Sequence, residues 1–228
     1  MWNLGRKTLP LLFCLACVPS LALATPGAPV PGYYRIRGLE SQMCVGYKVE
    51  TVPQVDHFVL KACEPRTDQD IYVAIIPIRG RFYTDLDKLR HQLYTVRPYF
   101  AVGNTPARKL FCATQARGVV FGAPRLDIHR CDFDHDANAW CDVGGSDQRF
   151  YFEDQGGSYF IIMDGSWNWT TWDVREHGHD AGTDLLVMSI TDFGAAVTNP
   201  HSNFANKKFE LLYDRPLDTA DDIACLPH

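Results

Sequence analysis

Short runs of β-branched and aromatic residues recur along the chain from residue 33 onward, and glycine, proline, asparagine or aspartate separates most of them. Each run is three to six residues long, a length that suits a strand and is too short for an amphipathic helix. The runs span residues 33–37, 58–60, 71–76, 126–128, 149–152, 159–162, 185–188 and 209–212. The pattern predicts an all-β fold.

One segment has a helical period instead. Leu86, Leu89 and Leu93 fall on one helical face of residues 84–93, and Thr84 fits the position of an N-cap. The sequence therefore predicts a short helix inserted among the strands.

The chain also repeats itself. Three triplets place a long polar residue two positions before a large apolar one: Gln69-Asp70-Ile71, Gln148-Arg149-Phe150 and Lys207-Lys208-Phe209. A pair of cysteines 19 positions apart precedes each of the first two triplets, Cys44 with Cys63 and Cys112 with Cys131. Similarity at this spacing indicates several copies of one supersecondary unit.

Residues 1–24 have the pattern of a secretory signal peptide. Arg6 and Lys7 precede a mainly apolar run, Leu9–Leu23, which ends in a small-x-small cleavage pattern. Lipidation at Cys17 fits less well, because the branched residue that a lipoprotein signal places three before the cysteine is missing. No later stretch has the ~20 apolar residues of a transmembrane helix. The sequence predicts a secreted or periplasmic protein without a transmembrane segment.

The net charge argues against partners that are bound by long-range attraction of a polyanion. The whole chain carries −5, and removal of the predicted leader, which contains two basic residues and no acidic one, makes it −7. A chain of this charge is not expected to attract nucleic acid or an anionic membrane over long distances.

Six cysteines remain after the leader, an even number in an oxidising compartment, and disulfides are the expected state. Six cysteines allow 15 pairings, so the number alone does not choose one. A zinc site has little support, because this part of the chain has no Cys-x-x-Cys pair and no paired histidines near the cysteines.

The order of strand, cysteine, loop, strand ending in cysteine and Gln-x-Trp-like triplet resembles the ricin-B type β-trefoil lectins, with a more distant similarity to the ricin-like subunits of cytolethal distending toxins. The resemblance implies three four-stranded modules about a pseudo-threefold axis, with Ile71, Phe150 and Phe209 in one shared core. It implies a linker at 25–32, a trefoil at 33–213 and a tail at 214–228. The modules would span residues 33–80, 96–155 and 157–213, with the helix between the first two.

The same resemblance implies the disulfide pattern. Cysteines of one module commonly pair in this family, which gives Cys44–Cys63 and Cys112–Cys131. Cys141 would then pair with Cys225 and tie the tail to the trefoil.

Three of the five tryptophans lie close together at Trp167, Trp169 and Trp172. In a strand Trp167 and Trp169 share one face and Trp172 takes the other, so at least one ring should face outward and be available for stacking on a sugar. The alternative is that two rings fill the core and the third lies under a loop.

Asp173 completes the candidate site. The resemblance implies a sugar-binding aspartate two residues after the first cysteine position of a module, and only the third module has one there. Met188 stands where the family has a stacking aromatic. We therefore expect Asp173 at the surface beside at least one of the three tryptophans, in a weak glycan site.

Other chemistry has less support. Asp132, Asp134, Asp136 and Asn138 alternate as in a calcium loop, but the required glycine and glutamate are missing, which favours a solvated acidic turn. His177 and His179 do not complete a metal site by themselves. No hydrolase or phosphate-loop motif occurs, so the sequence predicts no catalysis, no cofactor and no metal.

The sequence thus favours a carbohydrate- or glycoconjugate-binding β-trefoil that carries out no reaction. A second hypothesis is a toxin-type binding or delivery subunit that contacts a protein partner or a cell-surface receptor. A third, a hydrolase on a β scaffold, would require a pair of perturbed carboxylates in a cleft.

Overall fold

The computed structural model describes fourteen strands and three 3₁₀ turns. Among the described residues, no helix is long and apolar enough to cross a membrane. The predicted leader and Cys225 lie outside the described residues. Those residues are 27–48, 56–64, 69–85, 88–99, 101–102, 105–106, 111–120, 123–133, 141, 145–164, 170–174, 182, 185–189 and 205–219.

The strands have the following bounds. They are β1 Gly32–Gly38, β2 Cys44–Lys48, β3 Asp56–Lys61, β4 Val73–Thr84, β5 Arg90–Pro98, β6 Ala101–Val102, β7 Thr105–Pro106, β8 Phe111–Val120, β9 Ala123–Arg130, β10 Phe150–Asp154, β11 Tyr159–Met163, β12 Thr170–Val174, β13 Leu185–Ser189 and β14 Phe209–Pro216. The 3₁₀ turns are Gln69–Ile71, Ser146–Gln148 and Ala205–Lys207.

Six of the strands close into a barrel. Antiparallel pairing runs from β1 to β4, β5, β10, β11, β14 and back to β1. The hairpins β2–β3, β8–β9 and β12–β13 supply six further strands, and β9 pairs with both β3 and β13 so that the hairpins meet. The short strands β6 and β7 pair only with each other. This is a β-trefoil of three four-stranded modules, which confirms the fold predicted from the sequence.

The strand register corrects the alignment of the first module. The first strand of each module contains a tyrosine: Tyr34, Tyr94 or Tyr159. The residues paired with these tyrosines are Val73, Phe150 and Phe209, and all three belong to one apolar core. Ile71, expected at this position, is two residues too early, although it is fully buried. Because residues two apart in extended chain share a face, the sequence pattern could not separate these two registers.

Trp172 lies at the centre of this core. Its ring centroid is 5.9 Å from Phe58, 5.5 Å from Phe150 and 6.2 Å from Phe209, so it joins side chains from all three modules. Smaller residues from the other hairpins, Val45 and Ala113, belong to the same core. One indole thus occupies much of the space shared by the three hairpins. The backbone follows the pseudo-threefold symmetry, but the side chains of the core do not.

Two predicted disulfides are present, Cys44–Cys63 and Cys112–Cys131. Cys141 is also disulfide-bonded, but Cys225, its predicted partner, lies outside the described residues. Cys141 packs against a small apolar cluster formed by Tyr33, Ala74, Ile76 and Leu217.

The predicted helix at residues 84–93 is wrong. β4 continues to Thr84 and β5 begins at Arg90, so this segment forms the end of a long hairpin. Asp85 closes the turn: its carboxylate accepts the N–H of Leu89 at 2.8 Å, and its own N–H donates to the Leu89 carbonyl at 3.0 Å. The leucine spacing matched a helix, but pairing between the strands and packing on the barrel outweigh local propensity.

Candidate functional site

The expected glycan site of the third module is buried. Asp173 is 1% exposed and Trp172 is fully buried, so the prediction that Asp173 lies at the surface is wrong. Trp167 and Trp169 lie outside the described residues. The sequence placed Asp173 on the correct strand but could not show that the turn before β14 contacts it.

Asp173 is occupied by contacts within its own module. The Lys207 ammonium lies 3.0 Å from Asp173 Oδ2, and Asn206 Nδ2 donates to Asp173 Oδ1 at 2.9 Å. Lys207 is fully buried, so each charge of the pair is compensated chiefly by the other. The pair connects β12 to the turn that precedes β14.

The second module makes the same connection with neutral groups. Gln148 Nε2 donates to Thr114 Oγ1 at 2.9 Å and to the Arg130 carbonyl at 2.8 Å. Gln148 Oε1 accepts the Asp132 N–H at 2.7 Å. Gln148 is the last residue of its 3₁₀ turn, as Lys207 is of its own, so in the second and third modules the polar residue of the triplet fastens the turn to the hairpin.

The first module makes the connection from the other strand of its hairpin, where Lys61 Nζ on β3 donates to Asp70 Oδ2 in the turn at 3.2 Å. Gly46 takes the position of Thr114 and Asp173, and a Cβ there would lie 2.8 Å from the Asp70 carbonyl oxygen, which leaves no room for one. Ile71, fully buried, ends the corresponding turn. The three modules therefore fasten equivalent turns with a partly exposed ion pair, a neutral hydrogen bond and a buried ion pair, and Asp173 is part of the framework of its module.

Exposed large apolar side chains point to other surfaces. Among the described residues they occur at two places, with Val30 (65% exposed) and Tyr213 (48%) at one and Phe82 (42%) and Leu89 (59%) at the other. Exposed apolar side chains that lie together indicate a binding surface more strongly than single exposed residues do.

The first place is a pocket of about 430 Å³, within the size range of small-molecule sites. It lies at the end of the barrel where β1 begins, away from the hairpins. We call it the tyrosine pocket; its lining is Ala28, Pro29, Val30, Tyr34, Tyr159, Leu211 and Tyr213.

Strand register explains why tyrosines gather here. Tyr34, Tyr94 and Tyr159 are opposite Val73, Phe150 and Phe209, so they are the same position in the three modules. Each ring therefore approaches the same end of the barrel. An alignment of Val73 with Phe150 and Phe209 is needed to see that the three tyrosines are equivalent.

The segment before β1 covers one part of this end and leaves the rest open. The Tyr94 hydroxyl donates to the Pro29 carbonyl at 3.2 Å, and the Tyr34 hydroxyl donates to the Val30 carbonyl. Tyr94 is thereby buried, at 4% exposure, whereas the Tyr159 ring remains half-buried in the pocket wall. Tyr213 meets Tyr34 edge to face, with ring centroids 5.3 Å apart, and forms the outer rim.

The pocket is uncharged. Its lining contains no ionised side chain, and burial, followed by the neighbouring tyrosines, raises the pKa of Tyr34 above its ordinary value. Burial, followed by the Asp154 carboxylate, also raises the pKa of Tyr159. The phenols of Tyr34 and Tyr159 therefore remain neutral at physiological pH. The Tyr34 hydroxyl, which donates its hydrogen to the Val30 carbonyl, can accept a further hydrogen bond but not donate one.

Metal binding has no support in the described part of the chain, where no group of three or more histidine, cysteine, aspartate or glutamate side chains is arranged around one point. Asp134, Asp136, Asn138, His177 and His179 lie outside that part.

No protein-family model and no curated protein matches the sequence. Solved structures do match its fold. A designed threefold-symmetric protein, ThreeFoil, is 11% identical with a TM-score of 0.50, over 79% of this chain and 98% of that one. An exo-β-1,3-galactanase from Clostridium thermocellum is 13% identical with a TM-score of 0.51, over 82% of this chain and 31% of that one.

A mosquitocidal holotoxin is 12% identical with a TM-score of 0.51, over 82% of this chain and 18% of that one. This chain therefore spans less than a third of the galactanase and of the holotoxin. At these identities the likeness concerns the fold, and together with the closed barrel and its three hairpins it identifies the chain as a β-trefoil protein.

Proposed function

We propose that this protein binds a neutral saccharide unit of a glycan or glycoconjugate in the tyrosine pocket, without carrying out a reaction on it. One observation carries the proposal: an uncharged, partly open cavity whose lining includes Tyr34, Tyr159 and Tyr213.

The chemistry of the lining suits a sugar ring. A pyranose has an apolar face of C–H groups and an edge of hydroxyls, and aromatic faces pack on the former while phenol hydroxyls bond to the latter. Leu211 and Val30 add apolar contact, whereas a charged ligand would lose water in the pocket without gaining an ionic partner.

The site differs from the one that the sequence indicated. Asp173 is engaged with Lys207 and Asn206 and cannot accept sugar hydroxyls without losing those contacts. The galactanase and the holotoxin contain a trefoil-like part within a longer chain, an arrangement in keeping with a trefoil that supplies binding to a larger activity.

A glycan array followed by calorimetry on the best ligand tests the proposal. Tyr213→Ala removes the rim ring, and we expect it to lower the affinity at least tenfold, equivalent to about 1.4 kcal/mol. Tyr72→Ala is the matched control, because Tyr72 is a half-buried tyrosine outside the pocket lining. Equal affinities of Tyr213→Ala and the wild type would exclude the pocket as the site.

A further inference from the structure

The second exposed apolar place lies on the extension of the β4–β5 hairpin. Beyond the barrel these strands pair with each other, Phe82 opposite Gln92 and Tyr83 opposite His91. One face of the extension rests on the barrel: the rings of Tyr83 and His91 each lie 4.8 Å from the ring of Tyr151, and Tyr83 stacks on it nearly parallel. The extension is therefore held in a fixed position.

Apolar and basic side chains are exposed together on this extension. Phe82 and Leu89 are 42% and 59% exposed, and the Arg90 guanidinium carbon lies 4.2 Å from the centre of the Phe82 ring. Arg79 and Lys88 are also exposed. We call these five residues the hairpin patch: Arg79, Phe82, Lys88, Leu89 and Arg90.

The local charge opposes that of the whole chain. Residues 79–92 contain four basic and two acidic residues, a net +2, in a chain of net −5. One of the acids, Asp85, is turned inward, with its carboxylate 2.8 Å from His91 Nε2 and 2.8 Å from the Leu89 N–H. At physiological salt the Debye length is about 8 Å, so a surface in contact with the patch senses the local positive charge.

We infer that the hairpin patch docks on an anionic membrane surface. Phenylalanine and leucine side chains enter the boundary between headgroups and acyl chains, while adjacent arginine and lysine side chains pair with anionic headgroups. Docking on a folded acidic protein would require a surface of matching shape. A fluid lipid surface needs no matching shape, which favours lipid over an acidic protein.

This docking is independent of the saccharide proposal, because the patch and the tyrosine pocket share no residue. The two sites together would place a glycan-binding pocket close to a cell surface. Failure of one proposal leaves the other unaffected.

Sedimentation of the full disulfide-bonded chain with lipid vesicles tests the inference. We expect binding to vesicles of phosphatidylcholine mixed with phosphatidylserine, little binding to phosphatidylcholine alone, and release by added salt. Lys88→Gln should weaken binding roughly fivefold, the effect of one basic residue near an anionic surface. Arg130→Gln, which removes an exposed charge outside the patch, should bind as the wild type does.

Leu89→Ser separates lipid insertion from simple charge attraction. It should weaken vesicle binding without changing the unfolding midpoint, because the side chain is exposed and only its backbone holds the turn. Unchanged vesicle binding by Leu89→Ser would overturn the inference. So would equal binding to both kinds of vesicle, or equal loss of binding in Lys88→Gln and Arg130→Gln. Binding to soluble polyglutamate as tight as to the mixed vesicles would indicate an acidic partner and would also overturn it.

Discussion

The buried pair of Asp173 and Lys207 predicts a large effect of a single substitution. Asp173→Ala leaves the Lys207 ammonium, fully buried and 3.0 Å from the lost carboxylate, without its counter-charge. Breaking one side of a buried ion pair typically costs about 3–5 kcal/mol. Since single domains are stable by about 5–15 kcal/mol, we expect a severely weakened fold.

The second module supplies the corresponding rescue. Thr114 and Gln148 make the same connection there with a neutral hydrogen bond of 2.9 Å. Asp173→Thr combined with Lys207→Gln copies that solution into the third module and leaves no buried charge. We expect the double variant to lie within about 1.5 kcal/mol of the wild type, the net contribution of an ordinary hydrogen bond.

Urea unfolding of the disulfide-bonded protein, followed by tryptophan fluorescence, measures both effects. With a slope of about 1–3 kcal/mol per M, Asp173→Ala should lower the midpoint by at least 1 M. Thr114→Ala is the neutral control and should cost only about 1 kcal/mol. The reasoning fails if Asp173→Ala costs no more than Thr114→Ala, or if the double variant is as unstable as the single one.

Two further predictions concern the core and the tyrosines. Trp172→Ala removes the ring that joins Phe58, Phe150 and Phe209. The free energy of unfolding, measured in urea, should fall by about 3–5 kcal/mol. A loss below about 1 kcal/mol would show that the core tolerates alanine at this position, as it does at Ala113. Burial, followed by neighbouring tyrosines, raises the pKa of Tyr34 above the unfolded value of 10.0, so its contribution to stability is complete below pH 10 and is lost as pH rises through the folded pKa. The native protein should therefore form less tyrosinate than the unfolded protein about one pH unit above 10, as measured by absorbance, and equal tyrosinate would contradict the burial.

The strand-forming runs were predictable because the β-branched and aromatic residues that favour a strand lie within the run itself. Residues 58–60 and 159–162 lie within β3 and β11, where apolar side chains point into the core. β5 was missed because Leu93, together with Leu86 and Leu89 before the strand, also matches a helical period, and only the pairing of β5 with β4 decides between strand and helix. The cysteine spacing, combined with the family resemblance, gave two disulfides correctly, since both loops close within one module.

The candidate site was less predictable, because exposure depends on residues far away in sequence. Asp173 has the sequence position of a binding aspartate, yet Lys207, 34 positions later, turns it into a framework residue. The tyrosine pocket likewise combines β1, β11, β14 and the segment before β1, which no local motif connects. A one-dimensional pattern places a residue on a strand but does not show what covers it.

The most direct test of the proposed function is to locate the bound sugar. Crystals of the protein soaked with the best ligand from the glycan array should show it in the tyrosine pocket, with a ring face against Tyr213 and hydroxyls near Tyr34 and Tyr159. A sugar bound at the β12–β13 hairpin beside Asp173, with the tyrosine pocket empty, would contradict the account.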